Sequence, residues 1–141
     1  MKAPKHGVTG MALSSEEVQA FMDYLVDATP TKAKVHKKGK EATDNSTRDA
    51  QVYFIEHEAT ELYDILQKVA KMVNLYFKYD LSGIEKAQIV HYKAPSNGYN
   101  YHIDIGAEGT AASRKVSVSI ILNDEYEGGE ICFRTSEEGT C

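Results

Sequence analysis

Apolar residues recur at helical spacing in two stretches of this chain and at alternating spacing in several short runs after them. In the first stretch Val18, Phe21, Met22, Leu25 and Val26 share one helix face. Ser14 and Glu17 stand just before that face, three residues apart. That is the spacing of a capping box, in which each side chain accepts a hydrogen bond from the other residue's backbone N–H. Thr29-Pro30 ends the helix, because proline cannot continue it. The second stretch runs from about residue 59 to 77, with Leu62, Ile65, Leu66, Val69, Met72, Val73 and Tyr76 on one face. Between the helices, the segment 31–48 is polar and rich in lysine, and predicts a long loop of the kind that serves as a lid or binding loop. "QVYFI" (51–55) follows it with strand composition.

After Gly83 the pattern changes. "KAQIVHYKA", "YNYHIDI", "RKVSVSIILN" and "EICFRT" read as short strands separated by turn residues. Helices first and strands second predict an α+β domain with an antiparallel sheet. In "RKVSVSIIL", Val116, Val118, Ile120 and Leu122 share one side, while Lys115, Ser117, Ser119 and Ile121 share the other. Small polar residues on that second side suit a wall facing a polar ligand, and they equally suit a half-exposed sheet face.

A length of 141 residues predicts one domain, 1–141, with residues 1–13 as a loose leader. The net charge of −5 argues against a general nucleic-acid binder, which needs a basic face. The basic run "TKAKVHKKGK" (31–40) reads as a solvated loop beside the acidic and polar "EATDNST". Neither a leader with an apolar centre nor a stretch of membrane-spanning length is present, so the expected setting is cytoplasmic, away from any membrane. Cys132 and Cys141 fit no metal-binding spacing and predict free thiols in a reducing compartment.

The candidate chemistry lies in "YNYHIDIGAEG" (100–110). On a strand, His102 and Asp104 would point to the same side, one pleat repeat apart. An imidazole and a carboxylate so placed can occupy neighbouring positions on one metal ion. Non-haem iron(II) oxygenases use two histidines and one carboxylate on one face of an octahedron. A surface histidine beside an aspartate at a strand end is the plain alternative, and no histidine follows His102 in the chain.

The surroundings of the pair carry more. Tyr92 stands ten residues before His102, Gly98-Tyr99 forms a Gly-aromatic step, and His102-x-Asp104 follows. A strand led by Arg114 then ends in Leu122-Asn123, and Gly128-Gly129-Glu130 makes a turn. In this order and spacing the chain resembles the iron(II)- and 2-oxoglutarate-dependent dioxygenases of the prolyl 4-hydroxylase type. Arg48-Asp49 and the two-helix region before it add a weaker likeness. The resemblance implies a double-stranded β-helix, a jelly-roll, with N-terminal supporting helices. It implies Fe(II) held by His102 and Asp104, 2-oxoglutarate bound near Tyr92, and substrate met by Tyr99. Ser119, on the small polar side of its strand, joins the expected 2-oxoglutarate contacts, and Arg48 the expected substrate contacts. The implied reaction couples oxidative decarboxylation of 2-oxoglutarate to hydroxylation of a C–H bond, on a prolyl or other peptidyl side chain or on a small molecule. Ascorbate would serve as the assay reductant.

The chain departs from that family in two places. The third ligand, a histidine well downstream of Gly-Gly-Glu, and the basic residue that follows it have no counterpart before Cys141. His6, His36, His57 and His91 all precede the motif. Ile121 stands where some relatives place a tyrosine. The expectation is an incomplete jelly-roll, truncated at its C-terminus and with little hydroxylase activity. The alternative is a catalytically inactive jelly-roll that retains a binding or interaction role. An interrupted jelly-roll leaves strand edges and apolar residues uncovered, which predicts a homodimer through the C-terminal strands.

Overall fold

Ser14 opens the first helix with the predicted reciprocal cap. The Glu17 N–H donates to Ser14 Oγ at 3.2 Å, and the Ser14 N–H donates to Glu17 Oε1 at 3.0 Å. The helix α1 spans Ser15–Asp27, ending before Pro30. This computed structural model describes residues 7, 10–33, 35–37, 40–42, 48–134 and 139–140. Most of the expected leader (1–6 and 8–9), residues 43–47 of the polar segment and Cys141 lie outside the described residues.

The expected loop 31–48 contains three short strands, β1 (Thr31–Lys32), β2 (Val35–Lys37) and β3 (Lys40–Ala42). The strands β2 and β3 form an antiparallel pair in which Val35 faces Ala42. Its lysine-rich composition, with no apolar alternation, hid this pairing. Next come β4 (Gln51–Phe54), α2 (Thr60–Phe77) and β5 (Gln88–His91). The sheet order is β1-β4-β5, all antiparallel, with Tyr53 opposite Ile89 and Gln51 opposite His91.

The two helices share a core with this sheet. Phe21 of α1, Leu62, Tyr63 and Ile65 of α2, Ile55 and Ile89 are buried together, and Leu122 packs against them from the last third of the chain. Ile55 is the most enclosed, at 1 % exposure. Two tyrosine hydroxyls fasten the helices to the end of β4. Tyr24 donates to Phe54 O and accepts from the Glu56 N–H, both at 3.0 Å. Tyr63 donates to Ile55 O at 2.8 Å and accepts from the Ala87 N–H at 3.1 Å. Val26 and Tyr76, read as helix-face residues, are instead 80 % and 72 % exposed. Both sit near the ends of their helices, beyond the area the small sheet covers.

Residues 92–132 depart most from expectation. Among the described residues, "YNYHIDI" and "RKVSVSIILN" join no strand ladder, and between them lies the short helix α3 (Gly109–Ala112). "EICFRT" contributes only β6 (Phe133–Arg134), paired with β7 (Gly139–Thr140). Alternation tells which side chains share a face, but a strand also needs a hydrogen-bonding neighbour, and alternation does not supply one. The class is α+β, with a small open three-stranded antiparallel sheet. Cys132 is disulfide-bonded, which corrects the expectation of a free thiol and removes that argument for a reducing compartment. No helix among the described residues is long and apolar enough to cross a membrane.

Candidate metal centre

The loop after β5 is built around Asp49. Its backbone N–H donates to Gly98 O at 2.9 Å, its carbonyl accepts from Ser96 Oγ at 2.8 Å, and its carboxylate accepts from the Asn97 N–H at 3.2 Å. Gly98 completes the turn at φ +69°, a left-handed conformation that glycine adopts without penalty. This frame brings Arg48 and Tyr99 into an isolated antiparallel bridge. The guanidinium carbon of Arg48 lies 4.7 Å from the centre of the Tyr99 ring. Tyr99 in turn stacks on His102, with ring centres 3.7 Å apart and planes 16° from parallel. Arg48 and Tyr99, expected at the substrate entrance, thus form a column against the imidazole.

His102 and Asp104 converge as their spacing implied, although not on a paired strand. His102 Nδ1 lies 2.7 Å from Asn100 O. A carbonyl oxygen only accepts, so Nδ1 carries the hydrogen and Nε2 is the nitrogen left to face outward. Nε2 lies 3.0 Å from Asp104 Oδ1. Two lone pairs at that distance repel unless a proton or a cation lies between them. Neighbouring ligands of an octahedral ion, each about 2.1 Å from it, are themselves about 3.0 Å apart, since the separation is √2 times the bond length. Solvent reaches both side chains, at 38 % and 53 % exposure, so an ion has a path in. A ligating histidine characteristically donates its other ring N–H to a carbonyl, as His102 does to Asn100.

Asp104 is held from behind. Arg114 Nη1 donates to its backbone oxygen at 2.5 Å, while Nε and Nη2 of the same guanidinium engage the Glu85 carboxylate at 2.7–3.0 Å. Glu85 therefore holds the Arg114 pKa above its ordinary value. Burial pushes the Tyr99 hydroxyl pKa up; Arg48 opposes that shift, and the negative fields of Asp104 and Tyr92 add to it. Tyr92, the expected 2-oxoglutarate contact, is 41 % exposed.

Ser119 is not gathered in. It is exposed, and no hydrogen bond, ion pair or ring contact among the described residues joins it to His102. Among the described residues there is no group of three or more His, Cys, Asp or Glu side chains placed to hold an ion. The pair thus supplies two anchors. Sequence reasoning missed Asn100 and Glu85. The position of Arg114 at the head of its motif was visible, but its two partners were not. Comparison with known families, curated proteins and solved structures yields no match to this chain.

Proposed function

We propose that this chain carries the metal-binding part of an iron(II)- and 2-oxoglutarate-dependent dioxygenase, on a jelly-roll core, acting on a prolyl or other peptidyl side chain. One observation supports this reading above the rest: an imidazole with its Nδ1 hydrogen committed to Asn100 and its Nε2 held 3.0 Å from Asp104 Oδ1. His102 and Asp104 fit two adjacent positions of an octahedral ion, and four positions remain for other ligands. Bound Fe(II) with 2-oxoglutarate supplies the oxidative decarboxylation that drives C–H hydroxylation.

The chain's own residues do the rest. Tyr99 holds the imidazole plane by stacking, and Arg48 backs Tyr99. The Tyr92 hydroxyl is the donor assigned to 2-oxoglutarate. No third His, Cys, Asp or Glu side chain joins the pair among the described residues, and two anchors alone hold an ion weakly. The uncovered Val118, Ile121 and Ile131, at 44–56 % exposure, support a homodimer through the C-terminal part of the chain.

Calorimetric titration of 2-oxoglutarate with and without Mn(II) tests the reading. Binding should require the metal and weaken in Tyr92→Phe. Succinate formation with Fe(II) and ascorbate should be slow and should vanish in His102→Ala. Metal-independent binding of 2-oxoglutarate, or none under either condition, would refute it and leave the inactive binding domain.

A further inference from the structure

Asp104 sits in residues 100–105, which have no ladder pairing to fix them. The contact that holds its backbone comes from a side chain, the Arg114 guanidinium. That guanidinium is itself oriented. Nε donates to both oxygens of Glu85 at 3.0 Å and Nη2 donates to Oε2 at 2.7 Å, so Nη1 is left aimed at the Asp104 carbonyl. Glu85 is rooted in turn, because two residues on Ala87 bonds the buried Tyr63 hydroxyl through its N–H and accepts from the Ile55 N–H at 2.9 Å. A line of contacts therefore runs from the core to the backbone of the carboxylate ligand.

We infer that the Glu85–Arg114 pair is a positioning device for Asp104, fixing the carboxylate at the distance from His102 that a shared metal ion requires. The inference rests on the reading of His102 and Asp104 as metal ligands. As a stability element the pair is weak, since Arg114 and Glu85 are 37 % and 40 % exposed and ion pairs in solvent add little to folding. As a positioning element it is well made. A planar fork engaged at three donors fixes direction, which a single ammonium on a flexible stem does not. Partners behind a metal ligand typically govern affinity by about 10–100-fold.

The test is an electron paramagnetic resonance titration of the 141-residue chain with Mn(II), with thermal unfolding recorded for every variant. Arg114→Lys and Glu85→Gln should each weaken binding about tenfold or more and broaden the spectrum of the bound ion, with little change in the unfolding midpoint. The double variant should be no weaker than Arg114→Lys alone, because both residues act through one contact. Should Arg114→Lys fail to fold, Glu85→Gln decides, since it keeps the arginine and frees only its fork. Wild-type binding that depends on His102, with unchanged affinity in the variants, overturns this inference alone. A lowered midpoint with unchanged affinity marks the pair as structural and overturns it too. A wild-type chain that binds Mn(II) no better than His102→Ala overturns the metal reading and this inference together.

Discussion

Replacing Tyr63 by phenylalanine removes one oxygen atom from the junction where α2, β4 and β5 meet. The hydroxyl donates to Ile55 O at 2.8 Å and accepts from the Ala87 N–H at 3.1 Å, and the ring itself stays buried. Ile55 is 1 % exposed, so water has no access to its abandoned carbonyl. A buried acceptor left without a partner costs about 1–3 kcal/mol, and the half-buried Ala87 N–H adds about 1 kcal/mol. Tyr63→Phe should therefore cost about 2–4 kcal/mol, a large share of the roughly 5–15 kcal/mol that holds a domain together. With a urea slope of about 2 kcal/mol per molar, the unfolding midpoint falls by about 1–2 M. Tyr24→Phe is the control. Its hydroxyl makes the same two kinds of bond, to Phe54 O and from Glu56 N–H, but in solvent. Water replaces those bonds, and the cost should be about 1 kcal/mol or less. Equal losses in the two variants would refute the reasoning, because burial would then not set the cost.

A Cβ added at Gly106 would lie 2.5 Å from the Ala111 Cβ, so Gly106→Ala must open the turn that follows Asp104 and should lower Mn(II) affinity about tenfold. Gly106→Ala/Ala111→Gly should restore it, and a double variant as weak as the single would contradict the steric cause. Lys68 holds the Glu17 carboxyl below its ordinary 4.5, so this group adds stability above its unfolded pKa that is lost as pH falls through the folded one. Glutamine keeps the cap at this position. Urea midpoints should therefore show Glu17→Gln less stable than wild type near neutrality, with the two converging in acid below 4.5. Tyr99→Leu removes the stack on His102, worth about 0.5–1.5 kcal/mol, and should weaken Mn(II) up to about tenfold while Tyr101→Leu leaves it unchanged.

Local chemistry was legible and long-range pairing was not. Ser14 and Glu17 announce α1 because both halves of the capping box lie within four residues, and α2 follows from a single periodic stripe. The strand β1 was hidden because its residues are polar and its partner is chosen across the chain, as Thr31 is by Val52, and the β2–β3 pair because it lies in a lysine-rich run without strand composition. At the site His102 and Asp104 do meet, 3.0 Å apart, but on an irregular segment and not on the strand from which their convergence was expected. Nothing in the sequence links Glu85 to Arg114, 29 residues away, since an exposed ion pair leaves no periodic trace. Ser119 was proposed from alternation on a strand, and no strand forms there to aim it.

The most direct measurement is a Mn(II) titration of the wild-type chain, His102→Ala and Asp104→Ala, with and without 2-oxoglutarate. The 3.0 Å approach of Nε2 to Oδ1 predicts one weakly bound ion per chain, tightened by 2-oxoglutarate and lost in either variant. Binding that survives both substitutions, or no binding even with 2-oxoglutarate present, would contradict it.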